Sequence, residues 1–301
     1  MDFWIPLTLA AAFLQNLRSA TQKHLKSVMG TTGATFVRFG FGLPFALLFL
    51  FVTAAAGGHA APALNGSFLL WCGIGAMAQI AGTFLLVHLF SFRNFAVGTA
   101  YSRTEPAQAA LFALLFFGER VGPGSLAAIA ISVFGVMLIS VAHMTMSWRN
   151  LVGSVFAPHA LIGLASGAMF GIAAVSYRAA SLALGGPTFI MQAAVTLVCA
   201  LALQTLVMLA WMAWRERGEI GRVLRAWKPS LFTGFAGASA SFGWFMAMTL
   251  QQAALVKALG QVEMLFTFAA SVLVFRERIT RLEAAGCILI VLGIVMLVLV
   301  D

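Results

Sequence analysis

Charge is what this sequence has least of. Of its 301 residues only 9% are Asp, Glu, Lys or Arg, where a soluble domain carries roughly 25%. Hydrophobic residues make up 61%, and the mean hydropathy is +0.98. No soluble core absorbs that much apolar surface, so the solvent for most of it is lipid. Acid is scarcer than base, and the net charge is +9. The basic residues are scattered between apolar runs and form no face interleaved with stacking aromatics. That speaks against nucleic acid as a partner and for loops lying on an anionic membrane surface. Aspartate occurs only at Asp2 and Asp301, so there is no aspartate-rich diphosphate motif. H-E-x-x-H and G-x-S-x-G are missing too, which counts against an intramembrane enzyme, the alternative of a different class. Cys72, Cys199 and Cys287 each stand alone in an apolar run. They lack metal-ligand or redox spacing, read as small buried hydrophobes, and imply no cofactor or metal. With 29 Gly and 2 Tyr, the composition suits close-packed membrane helices better than the alternating strands of a barrel.

The apolar runs are long enough to span a bilayer, which takes roughly 20 residues. Ten spans are expected, near 3–22, 32–54, 67–90, 95–117, 123–143, 159–181, 187–212, 229–250, 255–275 and 280–300. Turn or charge signals separate them, among them "GGHAAPALNG", "GERVGPG" and "WRERGEIGRVLRAWKP". The opening "MDFWIPLTLAAAFLQ" has no Lys or Arg ahead of its apolar run. It therefore reads as a retained first span rather than a cleaved signal. With ten spans, one set of loops collects Lys23, Lys26, Arg93, Arg149, Arg215, Arg217, Arg222, Arg225, Lys228, Arg276, Arg278 and Arg281, and the other only Arg120, Arg178 and Lys257. The positive-inside rule makes the richer side cytoplasmic and puts both termini on the opposite side. Arg18, Arg38 and His88 fall within spans towards their cytoplasmic ends and read as snorkelling residues.

The chain repeats itself. "SRTEPAQAALFALLFFGERV" (102–121) is echoed by "GQVEMLFTFAASVLVFRERI" (260–279). At a constant offset of 158 positions, Glu105 maps to Glu263, Leu115 to Leu273, Phe117 to Phe275, Glu119 to Glu277, Arg120 to Arg278 and Gly135 to Gly293. Five helices in each half is an odd number, so the second half enters the membrane from the other face. That is an inverted repeat. The expected fold is an all-α integral membrane protein, with ten transmembrane helices as two inverted five-helix repeats around a central cavity. The repeats are placed at 1–145 and 159–301, with a linker over 146–158.

Within each half the two glutamates are 14 residues apart, roughly 21 Å along a helix. With Glu119 and Glu277 at the membrane surface, Glu105 and Glu263 lie near mid-membrane. The surface pair precede the next helix, where a carboxylate suits the helix N-terminus. "TRLE" (280–283) reads as a capping box. A mid-membrane carboxylate is costly and faces a cavity or a partner. Two readings of Glu105 and Glu263 stand open: substrate contact or proton coupling, and bracing of the bundle through a fixed arginine or neighbouring helices. Pro106 should bend its helix by removing the bond to the Ser102 carbonyl, and Pro44 reads as a plain kink. "GLASGAMFG" (163–171) carries Gly at every fourth position and offers a smooth packing face.

Two five-helix halves, each with "AVGTA" or "ALVKA" ahead of a glutamate and then "FGER" or "FRER", resemble the drug/metabolite transporter superfamily. The likeness is to its ten-helix EamA-type members, and within them most to the YddG-like exporters of aromatic and other amino acids. The resemblance implies a basket of helices with a cavity lined mainly by helices 1, 3, 4, 6, 8 and 9. Polar or aromatic residues on those helices are the candidate cavity residues: Gln15, Asn16, Trp71, Gln79, Thr83, Tyr101, Glu105, Phe170, Ser241, Trp244, Gln261 and Glu263. Each is also readable as interhelical glue, packing or an interface anchor. Glu105 and Glu263 are the candidate coupling groups.

The leading expectation is a secondary transporter exporting amino acids, aromatic and other apolar ones, or similar small metabolites by alternating access. It would act as a monomer in a bacterial inner membrane, with a small-molecule substrate and lipid as its partners. Phosphorylated metabolites rank lower, because the only cavity cations in view are Arg103 and Lys257. Drug-like cations rank lower as well, because helix 1 offers Gln15 and Asn16 and no carboxylate.

Overall fold

The computed structural model describes residues 2–58, 60–92, 95–141, 158–273 and 280–300. Arg93, Arg149, Arg276, Glu277 and Arg278 lie outside them, as does all of the expected linker except Pro158. Among the described residues there are helices and no strand. In chain order they are α1 (Trp4–Leu25), α2 (Thr31–Gly40), α3 (Leu43–Gly57), α4 (Gly66–Leu89), α5 (Phe95–Ser102), α6 (Glu105–Phe117) and α7 (Pro123–Val141). The second half continues with α8 (Pro158–Leu184), α9 (Phe189–Arg215), α10 (Arg217–Arg225), α11 (Trp227–Leu250), α12 (Ala253–Leu259), a 3-10 turn (Gly260–Val262), α13 (Glu263–Leu273) and α14 (Arg281–Val300). Six segments are long and apolar enough to cross a bilayer by length and composition: 31–57, 66–89, 158–184, 189–215, 227–250 and 281–300. Phe51, Leu115 and Leu299 point outward from the bundle, 65–79% exposed, as lipid-facing side chains do.

The expected spans appear with three refinements. The second is bent at Phe41–Gly42 into α2 and α3, with Pro44 in the first turn of α3. A proline there lacks the N–H that would continue the ladder, so the bend has a local cause. The fourth and ninth spans are broken outright, α5/α6 at 103–104 and α12/α13 at 260–262. With the 158-residue offset these breaks coincide: 103–104 corresponds to 261–262. Pro106 is the second residue of α6, in the first turn, where its missing N–H costs nothing. The charged stretch read as a loop is in fact helix α10, which exposes Arg217, Arg222 and Arg225 and buries Glu219 and Val223. Its 3.6-residue polarity pattern is short but real, and charge density hid it.

The packing follows the duplication. The first span of the first half, α1, lies along α11, the third span of the second half. The reverse pair, α4 and α8, matches it, and the two fifth spans, α7 and α14, lie along each other. Small residues set these distances. A Cβ on Gly135 would meet the Gly286 carbonyl oxygen at 2.7 Å, and one on Gly286 would meet that of Gly135 at 2.6 Å. The glycine face of α8 packs against the broken span as expected. A Cβ on Gly163 would sit 2.0 Å from the Gly98 carbonyl oxygen, and one on Gly167 would sit 2.9 Å from that of Ser102. Here the packing itself demands glycine.

The helix ends are capped by their own sequence. Asn65 accepts from the Phe68 N–H at 2.8 Å, and Thr188 accepts from Met191 at 3.2 Å. The capping box at 280–283 forms: Thr280 N–H donates to Glu283 Oε2 (2.8 Å), and Glu283 N–H donates to Thr280 Oγ1 (3.2 Å). Gly118 closes α6 with φ +66°, a left-handed conformation that a side chain would strain.

Candidate functional site

The two broken spans bring their breaks to the middle of the bundle, and a cavity opens there. Its walls hold Gln15, Arg18, Ser19, Arg38, Gln79, Ser102, Arg103, Glu105, Phe170, Tyr177, Ser241, Trp244, Phe245, Met248, Lys257 and Glu263. Four of these are cationic and two are acidic. The volume is about 50 Å³, which holds a few waters, since one needs roughly 10–15 Å³. An amino acid requires the walls to part.

Both acids are the first residues of half-helices, Glu105 of α6 and Glu263 of α13. There the unsatisfied N–H groups favour a carboxylate. Each is also paired across the halves. Arg103 of the first half is ion-paired and hydrogen-bonded to Glu263 of the second. Lys257 of the second half places Nζ 2.9 Å from Glu105 Oε1 of the first, an ion pair by distance without hydrogen-bond alignment. Gln15 Nε2 donates to Glu263 Oε2 at 2.7 Å, and Gln261 Nε2 donates to the Arg103 carbonyl at 2.9 Å. Trp244 completes the cluster: its indole N–H donates to Gln15 Oε1 at 3.0 Å, and Lys257 Nζ stands 4.5 Å over its ring. A Cβ on Gly260 would lie 2.4 Å from the Trp244 ring, so the 3-10 turn must be bare where the indole packs.

Arg18 and Arg38 are different. Both are 4% exposed, and neither has a carboxylate partner among the described residues. Arg38 donates to Thr83 Oγ1 (3.2 Å) and Ser241 Oγ (3.4 Å), and Arg18 only to Ser19 Oγ (3.3 Å). Nε and Nη1 of Arg18 and Nε of Arg38 have no acceptor among the described residues. The snorkelling expected of these two is corrected: their heads turn into the bundle and line the cavity. The expectation that only Arg103 and Lys257 supply cavity cations is corrected with it. Lys257, assigned to a loop, belongs to α12, and Arg178 belongs to α8.

Of the other candidates, Gln79 lines the cavity and accepts from Tyr177 Oη (3.1 Å) and Gln204 Nε2 (2.8 Å). Phe170, Ser241 and Trp244 also line it. Gln261 lies beside it, in a smaller recess shared with Glu105 and Glu263. Thr83 is a step behind the wall, accepting from Arg38. Asn16 points away from the cavity and pins α1 to α13 through the Glu263 carbonyl (3.0 Å) and Thr267 Oγ1 (2.7 Å). Tyr101 is buried and does not line the cavity. Trp71 is elsewhere, packed on Phe117 with ring centroids 4.6 Å apart, in a separate recess with Glu119 and Arg178. Glu119 does not simply cap the next helix: Arg178 Nε donates to its Oε1 at 3.2 Å. The same guanidinium donates through Nη1 to the carbonyls of Met248 (2.6 Å) and Gln251 (2.7 Å). Sequence reasoning missed Tyr177, whose hydroxyl bonds were not legible. It had the signal for Arg18 and Arg38, since an arginine inside an apolar span faces a cavity or partner by default.

The family profile of the EamA-like transporter family matches the sequence twice, over residues 2–141 and 157–299. A solved structure, described only as a crystal structure of protein, superposes with TM-score 0.70 over 99% of this chain and 96% of its own, at 17% identity. At that identity the likeness concerns the fold. The curated proteins compared gave no match.

Proposed function

Since the chain belongs to the EamA-like transporter family, and so is a multi-pass membrane transporter of small molecules, we propose that it exports amino acids, aromatic and other apolar ones, or similar small metabolites by alternating access. Within the family the proposed likeness is to the YddG-like exporters. One observation carries the reading: a polar, aromatic-walled cavity at the junction of two inverted halves, framed by two helices broken at corresponding positions. Broken helices put charge-stabilising helix ends at mid-membrane, where a polar cargo must be held. Inverted halves permit two mirror arrangements of similar energy, one open to each side. Gln15, Gln79, Glu105, Phe170, Ser241, Trp244 and Glu263 are the proposed wall, with Thr83 and Gln261 supporting it.

Both central acids are ion-paired and sit at helix N-termini. That favours movement down a substrate gradient over proton antiport. The halves proposed, 1–145 and 159–301 around a linker at 146–158, supply both sides of the cavity, so a monomer suffices. Arg178 and Lys257 lie within helices, as do Lys23, Arg215, Lys228 and Arg281 of the richer set, so the bias between the two sides persists. This supports a cytoplasmic placement of the basic side and termini outside the cytoplasm, and the proposed membrane is a bacterial inner membrane. Counterflow in proteoliposomes tests the function: vesicles preloaded with unlabelled amino acid should accumulate labelled L-phenylalanine and L-leucine, equally at two internal pH values. Absence of counterflow for a full amino-acid panel refutes the substrate class, and dependence on internal pH refutes uncoupled transport.

A further inference from the structure

The cavity's acids are each ion-paired, as is Arg103, whereas Arg18 and Arg38 have no carboxylate partner among the described residues. Arg18 and Arg38 come from different helices, α1 and α2, yet their stems run side by side over one glycine. A Cβ on Gly237 would stand 3.3 Å from Arg38 Cγ and 3.4 Å from Arg18 Cδ. Each residue is 4% exposed, and three of their guanidinium nitrogens have no acceptor among the described residues. Arginine does not shed its proton to relieve such a burial. Two buried like charges with no carboxylate in contact among the described residues therefore call for an anion between them. Beside polar Gln15, Gln79, Ser102 and Ser241, the wall carries a group of aromatics, Phe170, Tyr177, Trp244 and Phe245, so the anion has an apolar body. Nothing comparable awaits an ammonium, because Glu105 and Glu263 already hold Lys257 and Arg103.

We propose that Arg18 and Arg38 form an oxyanion site, and that the preferred cargo is an organic acid, carboxylate or phosphate ester, with an apolar body and no free ammonium. This rests on the transporter reading, takes up its similar small metabolites, and departs from its amino-acid assignment. Planar guanidinium forks suit either headgroup. Gly237 keeps both stems in place.

Four ligands that share a phenyl body separate the possibilities by calorimetry on the purified full-length protein: N-acetyl-L-phenylalanine, phenyl phosphate, L-phenylalanine and L-phenylalaninamide. The anions should bind about tenfold or more tighter than the amide, with the zwitterion between. Tighter binding of N-acetyl-L-phenylalanine assigns the site to carboxylates, and tighter binding of phenyl phosphate assigns it to phosphate esters. Arg18→Gln and Arg38→Gln should each weaken the better anion about tenfold or more, while Arg38→Lys keeps part of the binding. Thermal melting shows whether each variant folds, and removal of one unpaired charge should leave the melting temperature equal or higher. Gly237→Val, which changes no charge, should weaken anion binding by displacing both stems. The site is overturned if the amide binds as well as the anions, if folded Arg18→Gln and Arg38→Gln bind anions unchanged, or if no anion binds. Arginine-dependent anion binding by a protein that fails amino-acid counterflow would keep this site and sink only the amino-acid assignment.

Discussion

The two halves contribute unlike walls to one cavity. From the first half come Arg18, Arg38, Arg103 and Glu105, with Gln15 and Gln79. From the second come all the cavity aromatics, Phe170, Tyr177, Trp244 and Phe245, together with Lys257 and Glu263. The scaffold is duplicated: the breaks coincide, the glutamates coincide, and the helix pairings exchange under the repeat. The chemistry is not. A symmetric frame supplies two interchangeable shapes, and an asymmetric lining gives cargo a charged end and an apolar end to meet.

The largest expected effect comes from breaking the charge pairing between the halves. Arg103→Gln or Glu263→Gln alone leaves its partner's charge stranded, and Glu263 is only 6% exposed in its side chain. Loss of about 3–5 kcal/mol is expected, seen as a lower melting temperature in detergent. The double variant should recover most of it, because the cost lies in the unpaired charge. Additive losses would mean that each residue acts through other contacts.

Next is the junction away from the cavity. Glu219 of the second half accepts the Gly30 N–H at 2.8 Å, at the start of α2 in the first half, and pairs with Arg222. Glu219→Ala should cost about 1–3 kcal/mol by leaving that N–H unmet, measured by the same melting assay. An unchanged melting temperature would show that the halves do not depend on this clamp.

A smaller, sharper effect belongs to the aromatic wall. Trp244→Leu removes the ring beneath Lys257 and the donor to Gln15. It should lower the preference for aromatic over aliphatic cargo by about tenfold, roughly 1.4 kcal/mol, in competition counterflow. The preference for headgroup charge should stay as it was. If Trp244→Leu alters charge preference instead, the two walls do not divide the work. Smallest of all is Arg222→Ala. Its side chain is 53% exposed, and exposed pairs contribute about 0–1 kcal/mol. Melting should shift slightly and transport rates should not change.

Much of the frame was readable from the sequence because lipid imposes a coarse rule: about 20 apolar residues per crossing. The 158-residue echo exposed the duplication, and the 163–171 glycines announced a close contact. Local capping was legible at 280–283 for the same reason, since it depends on neighbours in the chain. Other features needed the third dimension. Pro106 signalled a bend, but the complete break at 103–104 is met by a bond from Gln261 to the Arg103 carbonyl, 158 residues away, that the local sequence does not announce. The glutamates drew attention because acids are scarce, yet each is neutralised by a cation from the opposite half that spacing along one helix could not reveal. Arg18 and Arg38 passed as snorkelling residues because a long side chain near a helix end has two directions available. Only the packing over Gly237 decides between them. Trp71 and Asn16 were on the right helices and the wrong faces, which periodicity alone does not orient in an all-apolar span.

The central claim is that the cavity is served alternately from the two sides. Ser19 lies near the C-terminal end of α1 and Met248 near the C-terminal end of α11, so on these antiparallel spans they face opposite ends of the cavity. Single cysteines at each position, with Cys72, Cys199 and Cys287 replaced by alanine, can be labelled by a membrane-impermeant maleimide from either side of sealed vesicles. The account predicts that Ser19→Cys reacts from one side and Met248→Cys from the other, and that transported cargo shifts the two rates in opposite directions. Reaction of both from the same side, or rates that rise and fall together, would contradict it.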